Sequence, residues 1–292
     1  MAELTFHAFQ IPLRVRFRGV TRRSGVLVHG PQGWGEFSPF PEYGPPATRW
    51  WWRAAEEGAT KPWPEPRRHS IPVNVTVPAT GAEEAHRIVT DAGCSTAKVK
   101  VGEGDDFGRV EAVRDALGPQ GRIRLDVNGA WDVDTAARQI RRLSSFELEY
   151  VEQPVRTAEE MVRVRRLVDV RLAADELVRL AEDPLHLSLR DVADLVVLKV
   201  QPLGGVWRAL EVAAALGLPA VVSSAVETSV GIAAGLALAA ALDELPYACG
   251  LATVLLLERD VVADPLVPVG GNIEVRRPRV DLEALAAVRP NL

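Results

Sequence analysis

Lysine is scarce in this sequence of 292 residues, which has four lysines against thirty arginines. An arginine guanidinium stays protonated under nearly all conditions, whereas a lysine ammonium can lose its proton when its surroundings lower its pKa. A lysine that persists in so arginine-rich a chain therefore calls for a chemical explanation. Lys98, Lys100 and Lys199 lie in apolar segments typical of buried strands, whereas Lys61 lies in a proline-rich segment typical of a solvated loop.

Cysteine and long apolar runs are also scarce. The two cysteines, Cys94 and Cys249, lie far apart in the sequence and do not have the spacing of a metal motif. The longest apolar run, residues 230–242, is too short to span a bilayer, and the charged first residues do not resemble a signal peptide. We therefore expect a cytoplasmic location and two reduced, buried cysteines.

Neither sign of charge dominates any part of the chain. The net charge is −5, and no long run of either sign occurs. A nucleic-acid surface and a membrane-binding patch are therefore not indicated. We expect small-molecule partners, no nucleic acid and no membrane, and the sequence leaves the oligomeric state open.

From residue 71 onward, short apolar segments alternate with longer segments in which apolar residues recur every three or four positions. This pattern is typical of strands that alternate with helices, and it predicts an α/β fold with a TIM-type (β/α)7β barrel, because parallel strands need helical crossovers. The predicted strands are residues 71–77, 97–101, 123–127, 148–152, 171–175, 195–199, 220–224 and 247–251. An open doubly wound sheet is the alternative, but no G-x-G-x-x-G motif follows a strand.

Residues 1–70 have a different pattern. They contain alternating segments typical of strands, a loop rich in glycine and proline, and a helical segment, which together predict a small α+β capping domain. The barrel is predicted over residues 71–261, and the tail, residues 262–292, is expected to return to the capping domain.

Residues 17–25 are predicted to form a lid, since their glycines permit hinge motion and their arginines attract anions; a solvated loop is the equal alternative.

Ionisable residues stand at the carboxyl ends of the predicted barrel strands, where such barrels carry catalysis. In chain order they are Lys98, Lys100, Asp126, Glu152, Asp175 and Lys199. Three neighbouring carboxylates need a counter-charge, and a divalent cation, Mg²⁺ or else Mn²⁺, suits oxygen ligands of this kind. Such a cation acidifies the proton beside a bound substrate carboxylate, and the lysines, with pKa values lowered by burial and by neighbouring cations, would then transfer that proton.

Five short motifs contain these residues: "KVK", "DVNGAW", "VEQP", "ADE" and "LKVQPLGG". In this order and spacing they resemble the motifs of the enolase superfamily, muconate-lactonising-enzyme subgroup. The segments "RSGVLVHGPQGWGEFSPF", "SSAVETSVG" and "CGLAT" are similar to those of the o-succinylbenzoate synthases of that superfamily. The resemblance covers the barrel and extends into the capping domain.

The resemblance implies Mg-dependent syn dehydration of 2-succinyl-6-hydroxy-2,4-cyclohexadiene-1-carboxylate to o-succinylbenzoate, a step in menaquinone biosynthesis, through a metal-stabilised enediolate. The metal ligands implied by position are Asp126, Glu152 and Asp175. Lys100 would take the α-proton and then assist loss of the hydroxyl, and Lys199 would stabilise the enediolate from the opposite face. Lys98 would lie beside Lys100 and lower its pKa.

Six further residues are candidates for substrate contact. In chain order they are Arg124, Asn128, Ser223, Ser224, Glu227 and Gly250. Arg124 has the same strand parity as Asp126, so it could face the substrate, and Asn128 follows closely. The candidates at the seventh and eighth strands could bind the succinyl tail, although serine at a strand end is as often a helix cap.

Two other functions stay open. An N-acylamino-acid racemase or a dipeptide epimerase would use Lys100 and Lys199 as two bases on opposite faces of the α-carbon. Dipeptide epimerases of the superfamily usually carry an acidic D-x-D at the eighth strand, and "CGLAT" has none, which argues against dipeptides but not against N-acyl substrates. A metal-binding barrel without catalysis would have no need of deprotonatable amines, so the retained lysines argue against it.

Overall fold

A computed structural model of the protein describes residues 3–290. Its strands are β1 (Thr5–Phe17), β2 (Val20–Gly30), β3 (Gly33–Phe37), β4 (Ser70–Pro72), β5 (Val75–Val77), β6 (Thr96–Lys100), β7 (Arg122–Asp126), β8 (Leu148–Glu152), β9 (Leu172–Ala174), β10 (Leu195–Lys199), β11 (Ala220–Ser223) and β12 (Asn272–Glu274). Its helices are α1 (Pro45–Thr60), α2 (Ala82–Ala92), α3 (Asp106–Leu117), α4 (Val133–Leu143), α5 (Ala158–Arg165), α6 (Glu176–Arg179), α7 (Val200–Leu203), α8 (Val206–Leu216), α9 (Ser229–Ala241) and α10 (Leu282–Ala286).

The centre of the protein is a parallel sheet curled into a barrel. Strands β5 to β11 lie side by side in chain order, and each is followed by a helix. Because helices cover the sheet outside and side chains fill it inside, strands such as β10 are buried at every position. The predicted α/β barrel fold with a separate cap is confirmed.

The eighth strand position is occupied by only two residues. Cys249 pairs with Val73 and Gly250 pairs with Ser223 through isolated bridges, which join the two edges of the seven-stranded sheet. Gly250 fits there because a Cβ atom would lie 2.5 Å from the Ser223 Oγ atom. The prediction of a regular strand over residues 247–251 is therefore wrong. The first predicted strand also divides, since β4 leaves the barrel to pair with β12.

Helix α9 contains most of the apolar run at residues 230–242. Eleven of its 13 residues are buried, because it packs against β11 and α8 of the barrel and against β3. Its apolar character therefore reflects burial on several sides within the protein core. No helix within residues 3–290 is long and apolar enough to cross a membrane.

Residues 5–60 form the cap, in which the antiparallel sheet β1–β2–β3 packs on α1. Helix α1 begins after Gly44 with two prolines in its first turn, where a missing N–H is tolerated. Phe9 and Trp51 of the cap share one apolar cluster with Val226 and Val230, which belong to the loop after β11 and to α9. The cap is therefore fixed directly against one side of the barrel mouth.

The C-terminal segment lies against the cap. The Gln10 amide donates a hydrogen bond to the Val288 carbonyl at 2.7 Å. Leu285 and Val288 belong to the same apolar cluster as the cap residues. These contacts accord with a tail that returns to the capping domain, and the domain boundaries at residues 70 and 262 remain predictions.

Gly35 lies where the cap sheet touches α1. A Cβ atom at this position would come within 1.9 Å of the Ala55 carbonyl oxygen, so Gly35→Ala must push the helix away from the sheet. We expect the free energy of unfolding, measured by urea denaturation, to fall by about 1–3 kcal/mol. Gly81→Ala is the control: nothing lies within 4 Å of the added Cβ atom, and because Gly81 is the N-cap of α2 the loss should stay below about 1 kcal/mol. Equal losses in both variants would contradict this explanation.

Candidate active site

Five neighbouring strand ends bring their ionisable residues together. In the register of the sheet, Lys100 lies opposite Asp126, and Asp126 lies opposite Glu152. Asp175 follows β9 directly, and Lys199 ends β10, the next two strands in the sheet. The carboxylates therefore occupy the middle of the mouth and the lysines flank them.

Lys98 is a buried cation between two carboxylates. Its Nζ atom lies 3.1 Å from Asp126 Oδ2 and 3.1 Å from Glu152 Oε2. Burial opposes the charged form of Lys98, but Glu152 and Asp126 outweigh that effect and raise its pKa. Lys98 therefore remains an ammonium, and the expectation that its pKa is lowered is wrong.

Lys100 lies closer to the open mouth. Its Nζ atom donates hydrogen bonds to Asp126 Oδ2 at 2.6 Å and to Asn128 Oδ1 at 2.5 Å. The Phe17 ring of the cap covers it, with 5.3 Å between Nζ and the ring centroid. The Lys100 side chain is 13% exposed, against 7% for each of Lys98 and Lys199, so Lys100 is the amine of the cluster that a substrate can reach most easily.

Lys199 approaches the carboxylates from the other side. Its Nζ atom donates a hydrogen bond to Asp175 Oδ2 at 2.6 Å. Burial lowers the pKa of Lys199, and the attraction of Asp175 only partly opposes this. Lys199 therefore holds its proton less firmly than Lys98 does, as the sequence predicted for the lysines of the site.

The acidic residues of the cluster differ in proton affinity. Burial would raise the pKa of Asp126, but its lysine neighbours lower it well below the usual range. Burial and the charge of Asp126 raise the pKa of Glu152 to about 7. Burial and the charge of Asp175 raise the pKa of Glu176 to about 8. Burial and neighbouring carboxylates thus disfavour the ionised forms of Glu152 and Glu176, whereas the lysines favour the ionised form of Asp126.

Three carboxylate oxygens in the cluster are buried without a hydrogen-bond partner among residues 3–290. They are Asp126 Oδ1, Asp175 Oδ1 and Glu176 Oε2. A buried acceptor without a partner is costly, and a hard divalent cation is a natural partner for such oxygens. In the part of the chain that the structure describes, no group of three His, Cys, Asp or Glu side chains is already arranged to hold a metal ion. At this site Lys98 lies between Asp126 and Glu152. The donor chemistry of the site nevertheless fits such a cation.

Gln153 and Asn128 fix the surroundings of these carboxylates. Gln153 Oε1 accepts hydrogen bonds from the amides of Asp175 (3.1 Å) and Leu177 (3.2 Å). The Asn128 side chain joins Lys100 to Glu176, accepting from the lysine and donating to the glutamate at 3.0 Å. The motif "VEQP" contains Gln153, but its role was missed because it depends on a contact with the next strand, which the sequence does not reveal.

Two adjoining cavities open at the mouth. The predicted site residues that line the inner cavity are Lys98, Lys100, Asp126, Asn128, Lys199, Ser223 and Ser224. The outer cavity has a volume of about 660 Å³ and lies between Arg18 of the cap and Lys100. Thr76 and Thr253 also line the inner cavity but were not predicted. Strand parity could have identified Thr76, which pairs with Lys98, whereas Thr253 lies in a short 3₁₀ helix, Ala252–Leu256, which the sequence did not predict.

Arg124 does not reach the mouth. It is fully buried, and its guanidinium donates hydrogen bonds to Glu149 Oε2 at 2.5 Å and to Asn74 Oδ1 at 3.0 Å. It also lies 4.8 Å from the centroid of the Tyr150 ring. Strand parity directed Arg124 into the barrel, but at this depth the interior is filled by side chains. The expected substrate contact is therefore corrected to a structural role deep in the barrel.

Glu227 and Gly250 also lie outside both cavities. The Glu227 carboxylate is buried between cap and barrel and accepts a hydrogen bond from the Ala225 amide at 2.6 Å. Gly250 closes the barrel through its bridge to Ser223. Their predicted contact with the succinyl tail is corrected, because burial and backbone pairing already account for both positions.

The segment predicted as a lid is mostly strand. Only Arg18 and Gly19 form a turn, between β1 and β2, and Arg18 lines both cavities. Arg23 is buried, and its Nε atom donates a hydrogen bond to the Val226 carbonyl at 3.1 Å. Residues 17–25 are therefore a wall of the site, of which the turn is the part nearest the cavities.

The cap also holds the loop after β11 in a strained conformation. Val226 has a φ of 60°, which is costly for a β-branched residue, and it lines the inner cavity. Arg23 holds its carbonyl, and Glu36 accepts hydrogen bonds from the Thr228 amide at 3.1 Å and from the Thr228 hydroxyl at 2.5 Å. Two buried cap residues thus fix one wall of the cavity.

Comparison with protein-family models matches two parts of the chain. Residues 81–279 match the family described as Enolase C-terminal domain-like. Residues 8–59 match the family described as Enolase N-terminal domain-like. The first match covers the barrel from α2 onward, and the second covers most of the cap.

Two curated relatives are similar over nearly the whole chain. An o-succinylbenzoate synthase from Thermobifida fusca is 63% identical over 290 residues, which cover 98% of this chain and 92% of the relative. An o-succinylbenzoate synthase from Mycolicibacterium smegmatis is 48% identical over 294 residues, which cover 97% of this chain and 90% of the relative.

A solved structure shares the fold at lower identity. The N-succinyl Arg/Lys racemase from Bacillus cereus superposes with a TM-score of 0.83 at 21% identity, covering 98% of this chain and 97% of that one. At this identity the likeness concerns the arrangement of cap and barrel alone.

Glu36 should make stability depend on pH. Burial and the neighbouring Glu227 raise the pKa of Glu36 from 4.5 to about 7. The protonated form of Glu36 therefore stabilises the fold fully below pH 4.5, and this stabilisation is lost as the pH rises through about 7. Between pH 5 and pH 8, the free energy of unfolding of the parent protein should fall by up to about 3 kcal/mol more than that of the Glu36→Gln variant. Chemical denaturation at both pH values measures this.

The control for this titration is Glu65→Gln, which changes an exposed carboxyl group. The stability difference between this variant and the parent should not depend on pH. A constant difference between the parent and Glu36→Gln over the same range would show that Glu36 is not the titrating group.

Proposed function

Because the chain belongs to the enolase superfamily and, within it, to the o-succinylbenzoate synthases, we propose that it converts 2-succinyl-6-hydroxy-2,4-cyclohexadiene-1-carboxylate to o-succinylbenzoate. The reaction removes water, so the enzyme is a hydro-lyase, and its product belongs to menaquinone biosynthesis. Members of the superfamily generally use a divalent metal, usually Mg²⁺, and this family acts on small-molecule carboxylates. The observation that carries the proposal is the placement of Lys100 and Lys199 on the two sides of three carboxylates.

The residues that would hold the metal are Asp126, Glu152 and Asp175. The unpartnered Oδ1 atoms of Asp126 and Asp175 support this assignment. So does the register of the sheet, which places Glu152 directly beside Asp126 at the mouth. When bound, Mg²⁺ would neutralise the negative charge that develops on the substrate carboxylate as the α-proton leaves.

Lys100 would transfer the proton. As a neutral amine it would accept the α-proton, and as the resulting ammonium it would donate a proton to the departing hydroxyl, which leaves as water. One group serves both steps from one face of the substrate, so the elimination is syn. Asp126 and Asn128 orient the Lys100 amine through hydrogen bonds of 2.6 and 2.5 Å.

Lys199 would act as a cation on the opposite face. As an ammonium it would stabilise the negative charge formed when Lys100 removes the α-proton. Lys98, held between Asp126 and Glu152 as an ammonium, would orient these carboxylates. Neither of these two residues needs to exchange a proton for dehydration.

Ser223 and Ser224 would contact the succinyl tail, since both line the inner cavity. The Ser224 hydroxyl shares a hydrogen bond of 2.7 Å with the Thr253 hydroxyl. The Ser224 hydroxyl donates to the Gly250 carbonyl at 2.9 Å, so a bound carboxylate would accept a hydroxyl proton in place of one of these present acceptors. Arg18, at the border of both cavities, would attract the anionic substrate.

A racemase activity on N-succinyl amino acids is the second candidate function. It would need Lys199 as a second base, and the lowered pKa of Lys199, caused by burial, favours that possibility. The likeness to the N-succinyl Arg/Lys racemase concerns only the fold.

Lys100→Ala should abolish dehydration while the protein keeps its fold and its Mg²⁺ affinity. Loss of the acid/base group should lower kcat by about 10²–10⁴-fold or more in a spectrophotometric assay with the cyclohexadiene substrate. Lys61→Ala is the matched control, because Lys61 is an exposed lysine remote from the mouth, and its kcat should equal that of the parent. Dehydration by Lys100→Ala at the parental rate would exclude the proposed mechanism.

Lys199→Arg should separate the two activities. Arginine keeps the positive charge but does not act as a base, so dehydration should continue at a reduced rate while racemisation of an N-succinyl amino acid is lost. Deuterium exchange at the α-carbon, followed by NMR in D₂O, measures the second activity. If the parent already fails to racemise, the second candidate function is excluded; if Lys199→Arg racemises at the parental rate, Lys199 is not the second base.

A further inference from the structure

A buried arginine connects the cap to the turn that carries Asp175. Arg179, at the end of α6, donates hydrogen bonds to Asp175 Oδ2 at 3.0 Å and to Glu176 Oε1 at 2.5 Å. Its remaining guanidinium nitrogen, Nη1, contacts the hydroxyl of Tyr43, which belongs to the cap. Only 2% of the Arg179 side chain is exposed, so these three acceptors replace water for it.

The contacts of Asp175 show what Arg179 does to this carboxylate. Oδ2 accepts hydrogen bonds from both Lys199, at 2.6 Å, and Arg179, at 3.0 Å. Oδ1 is buried and has no hydrogen-bond partner within the described part of the chain. Two donors on one oxygen fix the rotation of the carboxylate, and they leave the other oxygen as the one available to a cation.

Tyr43 is held in place independently of Arg179. Its ring packs on Trp51 of α1, with 5.1 Å between the ring centroids, and Trp51 is only 1% exposed. The adjacent Glu42 pairs with Arg18 at 3.0 Å. The cap therefore offers a fixed acceptor to Arg179, and the position of the guanidinium depends on the cap being docked.

We propose that Tyr43 and Arg179 are positioning residues through which the docked cap sets the metal affinity of the barrel site. This inference rests on the proposed function, because it takes Asp175 as a metal ligand. Arg179 orients the carboxylate of Asp175, and Tyr43 orients Arg179. Neither residue touches the substrate or the reacting atoms.

The test measures Mg²⁺ affinity by isothermal titration calorimetry in the absence of substrate. Tyr43→Phe removes only the hydroxyl and changes no charge, so the Kd for Mg²⁺ should rise by about three- to tenfold. Arg179→Lys keeps the charge but loses the forked geometry, and its Kd should rise by about tenfold or more. At saturating Mg²⁺, the kcat of Tyr43→Phe should stay within about twofold of the parental value.

Tyr247→Phe is the matched control. The Tyr247 hydroxyl accepts a hydrogen bond from Arg171 at 3.4 Å, and its ring packs on Tyr150 deep in the barrel, away from Asp175. This variant should bind Mg²⁺ with the parental Kd. The free energy of unfolding without Mg²⁺ is measured for each variant, since a merely structural role of Tyr43 would lower that quantity and leave Kd unchanged, which would overturn the inference.

Asp175→Asn distinguishes failure of this inference from failure of the metal assignment. If Asp175→Asn loses Mg²⁺ binding but Tyr43→Phe keeps the parental Kd, the positioning role is wrong and the assigned ligands stand. If Asp175→Asn itself binds Mg²⁺ with the parental Kd, the metal assignment fails and the inference fails with it. A raised Kd in Tyr43→Phe and Arg179→Lys, with no change in Tyr247→Phe, supports the inference.

Discussion

Negative charge that is buried at the mouth of the barrel is the constraint on which the other features of the site depend. In-register parallel strands place Asp126 beside Glu152, and the next strand delivers Asp175. Such charges are tolerated only when they are paired and hydrogen-bonded. The flanking strands supply Lys98 and Lys199 for this purpose. Lys100, the group proposed for proton transfer, pairs with Asp126 and is thus also part of the electrostatic balance of the fold.

This balance extends beyond the barrel. Arg179 shares Asp175 with Lys199 and reaches the cap through Tyr43, while Arg23 of the cap holds the carbonyl of Val226 in the cavity wall. Cap and barrel are therefore joined through charged and strained groups around the site as well as through apolar contacts. Such coupling explains why the cap belongs to the catalytic unit although none of the assigned metal ligands or proton donors lies in it.

The sequence predicted the residues whose positions follow from periodicity. Strand alternation placed Lys98 and Lys100 on one face, and the repeat length placed Asp126 and Glu152 at successive strand ends. Depth along the strand was less predictable: Arg124 has the right parity but lies where side chains fill the interior. Parity specifies a direction, and depth depends on how the strands stagger in the closed sheet.

Features that depend on contacts distant in sequence could not be predicted. The positive φ of Val226 arises in a valine, which gives no local signal for a left-handed conformation. Glu227 is buried by the cap, so its position follows from domain docking. Arg179 is one arginine among thirty, and only the folded chain shows that it contacts Asp175 and Tyr43.

The short bridge that closes the barrel has a consequence for motion. At Cys249 and Gly250 the ladder has two paired residues, whereas β6 and β7 are paired over five, so the seam has few backbone hydrogen bonds to lose when it opens. Cys249 lies in this seam with no exposed surface, and burial raises the pKa of its thiol to about 12. Its reactivity is therefore governed by the opening of the seam, so the rate at which this thiol reacts with a reagent measures how often the barrel opens.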